Sequence, residues 1–90
     1  MAIVAITLRI MPSSTDTNLE KIKAELEKRV GHLDAKVHST DIEPVAFGLK
    51  ALIAIIVWSE EKAPDLLENA VRGIENVESV EITDVRRVSF

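Results

Sequence analysis

Between Ala2 and Met11 apolar and polar positions alternate. Val4, Ile6, Leu8 and Ile10 fall on one side, and Ile3, Ala5, Thr7 and Arg9 on the other. A period of two predicts a strand with one face in a core. Pro12-Ser13-Ser14-Thr15-Asp16 is a cluster of turn formers. The period then lengthens. Leu19, Ile22, Leu26 and Val30 recur every three or four residues, which predicts an amphipathic helix whose charged residues, Glu20 to Lys28, stay in water. Thr17 and Glu20 have the spacing of a capping box at its start. Gly31 stands where a left-handed residue would end it. Ala35 to Ile42 is a weaker, polar strand with Val37 as its clearest inward residue.

The most apolar stretch comes next. Pro44-Val45-Ala46-Phe47-Gly48 is a tight turn carrying an aromatic ring, and Leu49 to Trp58 follows without a break. A continuous run of this length, rich in β-branched residues, predicts a central strand buried on both faces. Pro44 fixes its own φ, and Gly48 supplies a backbone position that a bulky residue does not easily take. On this pattern Phe47 either packs in the core or stands at the sheet end. Ser59 to Ala63 is a loop. Pro64 suits the first turn of a second helix, with Leu67, Ala70, Val71 and Ile74 as its buried stripe. Val77 to Ile82 is a last strand. Its phase slips afterwards, because Val85 and Val88 do not continue the alternation. Either a bulge falls near Thr83-Asp84 or the chain leaves the sheet there.

The order strand, helix, strand, strand, helix, strand predicts an α+β fold of the ferredoxin-like β-α-β-β-α-β type, with two helices on one face of a four-stranded antiparallel sheet. That topology places the first and third strands centrally, and they are the two most apolar strands here. Ninety residues are read as a single domain, 1–90.

Composition narrows the function classes. Residues 1–50 carry seven Lys/Arg against seven Asp/Glu, and residues 51–90 carry four against eight, so the net charge of −4 belongs to the second half. An acidic chain with 3% aromatics is a poor candidate for direct nucleic-acid binding, which draws its affinity from clustered cations. Within that acidic half Arg86 and Arg87 form a local basic tip. Without cysteine there is no thiolate metal site, thiol nucleophile or disulfide. The longest apolar run, Ala51 to Trp58, falls well short of the ~20 residues that span a bilayer, so no membrane association and a cytoplasmic location are expected. His32 and His38 lack a second ligand at a familiar spacing, the three glycines form no phosphate loop, and Glu60-Glu61 lie in a polar loop. The residues present no catalytic constellation, and neither a metal nor a cofactor is expected.

Pro44 to Leu52, together with Val77 to Arg87, resembles translation elongation factor 1-beta of the archaeal type, and is similar to the C-terminal exchange domain of the eukaryotic factor. The likeness extends to the opening strand that ends in Pro12, the helix start at Asp16/Asn18-Leu19-Glu20, and the closing Ile82-Thr83-Asp84-Val85-Arg86-Arg87. The resemblance implies the same ferredoxin-like fold. It also implies guanine-nucleotide exchange without covalent chemistry: binding of elongation factor 1-alpha in its GDP-bound and nucleotide-free forms, release of GDP and rebinding of GTP. Phe47 matches an aromatic that contacts a β-barrel domain of that GTPase. Arg87 matches by position a basic residue that disturbs the GTPase magnesium site. The eukaryotic residue is a lysine, and this chain continues through Val88-Ser89-Phe90, so Arg86 is a candidate beside Arg87. A second reading of the same fold is a small-ligand-binding regulatory domain, whose ligand contacts are mostly backbone.

Overall fold

The computed structural model describes residues 2–88; Ser89 and Phe90 of the closing tail lie outside them. Four strands and two helices alternate as the periodicities predict: β1 (Ile3–Pro12), α1 (Leu19–His32), β2 (Lys36–Pro44), β3 (Lys50–Ser59), α2 (Pro64–Arg72) and β4 (Val77–Val88), with a short 3₁₀ turn, Ala46–Gly48, between β2 and β3. The strands form one antiparallel sheet in the order β2-β3-β1-β4, so the two most apolar strands are central. This is the ferredoxin-like α+β arrangement.

The core lies between the helices and one sheet face. Ile6, Leu8 and Ile10 of β1 and Ala54, Ile56 and Trp58 of β3 are buried beneath Ile22, Leu26 and Val30 of α1 and Leu67 and Val71 of α2. Burying each such aliphatic side chain contributes about 1.5–3 kcal/mol, which is what draws both helices onto the same face. Arg29 Nη1 donates to the Ala70 carbonyl at 3.2 Å and ties α1 to α2. Trp58 is fully buried and satisfies its indole N–H on the Lys62 carbonyl at 3.0 Å. The Lys62 ammonium stands 5.4 Å from the centre of the same ring and donates to the Leu33 carbonyl at the end of α1.

Three local expectations are corrected. Asn18, not Thr17, caps α1: its side chain accepts from the Glu20 N–H at 2.9 Å, while the Thr17 hydroxyl turns to Ser14. Gly31 does not end α1. The helix runs one residue further to His32, Leu33 caps it, and Asp34 takes the left-handed position at φ 57°. A short polar side chain that can bond locally tolerates that region, so glycine is not required. The third correction concerns β3, which is not buried on both faces. Leu52, Ala54, Ile56 and Trp58 point to the helices, but Ile53, Ile55 and Val57 point the other way and are only half-buried.

The phase slip in β4 is a bulge. Thr7 pairs with Asp84 and Leu8 with Ile82, which leaves Thr83 as the extra residue, its hydroxyl donating to the Thr7 carbonyl at 3.4 Å. The strand continues in the sheet to Val88. β2 has a comparable irregularity at His38. Both are edge strands, where such irregularities discourage further pairing.

Candidate functional site

The β2–β3 hairpin closes where Pro44 pairs with Lys50 and the Val45 N–H donates to the Leu49 carbonyl at 2.8 Å. Between them the chain makes one 3₁₀ turn in which Phe47 and Gly48 are successively left-handed, at φ 61° and 77°. Glycine occupies that region freely; an aromatic residue does so at a cost of about 1–2 kcal/mol. The strain recovers no packing, because Phe47 is 95% exposed. A strained backbone carrying a bare ring points to function rather than to stability. Beside the turn an open cleft of about 430 Å³ runs between the hairpin and the start of α1. Leu19 and Ile42 supply apolar wall there, and Ile42 is 47% exposed. Ring and cleft together form a small hydrophobic surface at one end of the molecule.

Arg86 and Arg87 lie at the other end. Arg87 pairs in register with Val4, which pairs with Trp58, eight residues along β3 from Lys50. At the usual rise of a strand the two ends are about 27 Å apart. Sheet register puts the two arginines on opposite faces. Arg86 shares the outward face with Asp84 and contacts its carboxylate at 2.8 Å. Arg87 shares the face of Val4 and Trp58 and donates to Glu60 in the loop after β3. Both arginines are well exposed. The sequence-predicted residues therefore occupy two places: Phe47 at the hairpin tip, and the arginines back to back at the far end.

Glu60 is the member that sequence reasoning missed. It reads as half of a solvated carboxylate pair, but its N–H donates to the Ala2 carbonyl at 3.1 Å, which holds the loop against the start of β1 and so beside the end of β4. The signal that would have found it is topological. The residue after β3 must lie near the last residues of β4, because both strands flank the start of β1. Among the described residues no cluster of three metal-ligating side chains occurs, and no helix is long and apolar enough to cross a membrane.

Comparison with known proteins identifies the frame that carries these features. Residues 5–88 match the EF-1 guanine nucleotide exchange domain. The chain belongs to that family. It is 39% identical over 89 residues to elongation factor 1-beta of Methanothermobacter thermautotrophicus, covering 98% of this chain and 99% of that one. It is 40% identical over 88 residues to elongation factor 1-beta of Methanococcoides burtonii, covering 97% and 98%. With elongation factor 1-beta of Sulfolobus acidocaldarius it shares 38% identity over 89 residues, covering 97% and 98%. These relatives are archaeal factors, as the turn and closing motifs imply, and they support a guanine-nucleotide exchange role in translation elongation. The C-terminal domain of the MgtC protein from Mycobacterium tuberculosis superimposes with a TM-score of 0.61 at 13% identity, over 98% of this chain and 88% of that one. A protein from Galdieria sulphuraria does so with a TM-score of 0.58 at 16% identity, over 98% and 46%. At such identities the likeness is one of fold alone.

In chemical terms the exchange-domain frame offers two recognition elements on one rigid body. One is an aromatic ring with an apolar cleft beside it. The other is a guanidinium whose only carboxylate partner among the described residues is a loop glutamate. Both are suited to seating on another macromolecule.

Proposed function

We propose that this chain is a cytoplasmic exchange factor for elongation factor 1-alpha, acting as a single domain over residues 1–90, without covalent chemistry and without a cofactor of its own. The observation that carries the reading is Phe47: a ring 95% exposed on a left-handed backbone, at the position the family resemblance assigns to the GTPase contact. The hairpin seats on the GTPase with Phe47 inserted, and the rigid sheet delivers Arg87 about 27 Å away, toward the magnesium that helps hold GDP. A guanidinium beside a magnesium site competes with the metal for its carboxylate and phosphate oxygens. Loss of the metal loosens the ordered switch segments, and GDP leaves.

Arg87 is assigned this role over Arg86 because it stands on the helix side with only Glu60 to release, whereas Arg86 turns to the opposite face beside Asp84. The reciprocity of linked equilibria completes the cycle. A factor that weakens nucleotide binding is itself bound less tightly once nucleotide returns, so GTP displaces it.

The test is release of fluorescent GDP from elongation factor 1-alpha, with the wild-type chain and with the Phe47→Ala and Arg87→Ala variants. Both variants should keep the wild-type circular dichroism spectrum and accelerate release much less. If both fold normally and still release GDP at the wild-type rate, the assignment of these residues fails. If the wild-type chain does not accelerate release, the partner is wrong.

A further inference from the structure

Among the described residues the sheet face opposite the helices has no covering layer, although Ile53, Ile55 and Val57 form an apolar ridge along its centre. Toward its two ends the charges at its borders are sorted by sign, with Asp84 on β4 between them. In register, Lys36 and Arg86 flank the row that contains Val57 and Ala5. Two rows further along, Asp41 and Glu81 flank Ile53 and Arg9, with Glu43 just beyond. One end of the face thus has a cation on each edge strand, and the other end an acid on each edge strand.

We propose that this face is the contact between two copies of the chain. The two-fold axis lies in the plane of the contact and crosses the strands at the row of Ile55 and Thr7. This operation keeps each edge strand over its own copy and reverses it end for end. Lys36 of one copy then meets Asp41 of the other along β2, and Arg86 meets Glu81 along β4. By symmetry each pair forms twice. Ile55 meets its own copy on the axis, Val57 covers Ile53, and the small Ala5 faces the bulky Arg9. Asp84 meets its own copy at the β4 border, where its ion pair with Arg86 at 2.8 Å offsets the like charge. Stacked sheets of this kind pack about 10 Å apart, rotated by about 30° through their twist.

Two further observations favour an occupant. Arg9 Nε is buried on this face with no acceptor among the described residues, and the Arg9 guanidinium reaches only 4.0 Å from Glu43. In addition, the strand whose composition demands burial on both sides has one side open. A face of four strands, about 19 Å by 27 Å, buries on the order of 500 Å² per copy, or about 1,000 Å² in total, the lower bound of a specific contact. The dimer is therefore weak and reversible. It leaves the Phe47 hairpin and Arg87 uncovered, and it does not rest on the exchange reading.

Charge reversal tests it. Sedimentation equilibrium up to millimolar protein should show a monomer–dimer equilibrium for the full chain. Lys36→Glu and Asp41→Lys should each weaken it up to about tenfold, since each reversal turns two attractions into two repulsions. The double variant Lys36→Glu/Asp41→Lys places opposite charges face to face again and should recover most of the loss. Dilution of the wild-type chain should shift the amide resonances of Ile53, Ile55 and Val57. A chain monomeric at millimolar concentration overturns the proposal. So does a double variant no better than the singles, or dilution shifts confined to the helices.

Discussion

Arg87 on β4 donates to Glu60 in the loop after β3, closing the end of the sheet with an ion pair that solvent reaches on both sides. Exposed pairs of this kind are worth about 0.2–1 kcal/mol. Arg87→Ala should therefore move the urea unfolding free energy by less than about 1 kcal/mol while reducing the acceleration of GDP release at least tenfold. Arg87→Lys keeps the charge without the planar fork. It should retain more than half of the acceleration; a loss as large as that of the alanine variant would show that the fork, not the charge, acts on the GTPase.

The hairpin tip sets stability against function. Phe47→Gly relieves a left-handed aromatic residue that packs on nothing, and should stabilise the fold by about 0.5–1 kcal/mol even after the greater unfolded-state freedom of glycine is counted. The same variant should slow exchange. At the next residue the sign reverses. Gly48→Ala places a Cβ in the left-handed region and should cost about 1–2 kcal/mol, with ordinary contact to the Thr15 methyl at 3.7 Å adding little. Urea midpoints of the two variants that moved in the same direction would contradict the strain assigned to Phe47.

Gly31 lies inside α1 without a positive φ, and a methyl group on its Cα would meet nothing within 4 Å beyond its chain neighbours and the adjoining helix backbone. Gly31→Ala should raise stability by about 0.5–1 kcal/mol, the usual gain within a helix. A destabilised variant in thermal denaturation would mean that the helix ends earlier than His32.

Trp58 is the one tryptophan of the chain and is fully buried. Its emission should be blue-shifted in the native state and report unfolding directly. Trp58→Phe removes the indole donor, leaves the Lys62 carbonyl unpaired and opens space in the core. A loss of about 2–3 kcal/mol is expected from these effects together. Exchange at a temperature where the variant is folded should be unchanged, since the ring lies below the surface that carries Arg87.

The elements themselves were legible because their periods are clean. The alternation of Val4, Ile6, Leu8 and Ile10 and the stripe of Ile22, Leu26 and Val30 decide strand and helix before any tertiary contact is known, and all seven are buried. What was not legible depended on choices among near-equivalent neighbours. Thr17 and Asn18 are both competent caps, and only the path of the chain out of the turn selects Asn18. Glycine is the favoured residue at a helix end, yet Asp34 takes the left-handed position here. The run from Leu49 to Trp58 signals burial but does not say against what, so the outward ridge of Ile53, Ile55 and Val57 came only from the layering. At the candidate site the position of Phe47 was readable from Pro44 and Gly48, while its exposure and its strained φ required the fold. Glu60 joined the site only through tertiary proximity.

The bulge at Thr83 acts as a parity switch. A strand alternates sides with every residue, and a bulge sets two successive residues against one, so everything after it lies on the side opposite to that which unbroken alternation would give. With Thr83 bulged out, Arg87 comes up on the helix side beside Glu60, and Arg86 on the open side. Pairing Thr83 regularly with Thr7 would instead bring Arg86 opposite Val4 on the helix side, send Arg87 to the open side and turn Val85 outward. In a strand with two adjacent arginines, which of them reaches a partner is decided by a residue that makes no contact with it.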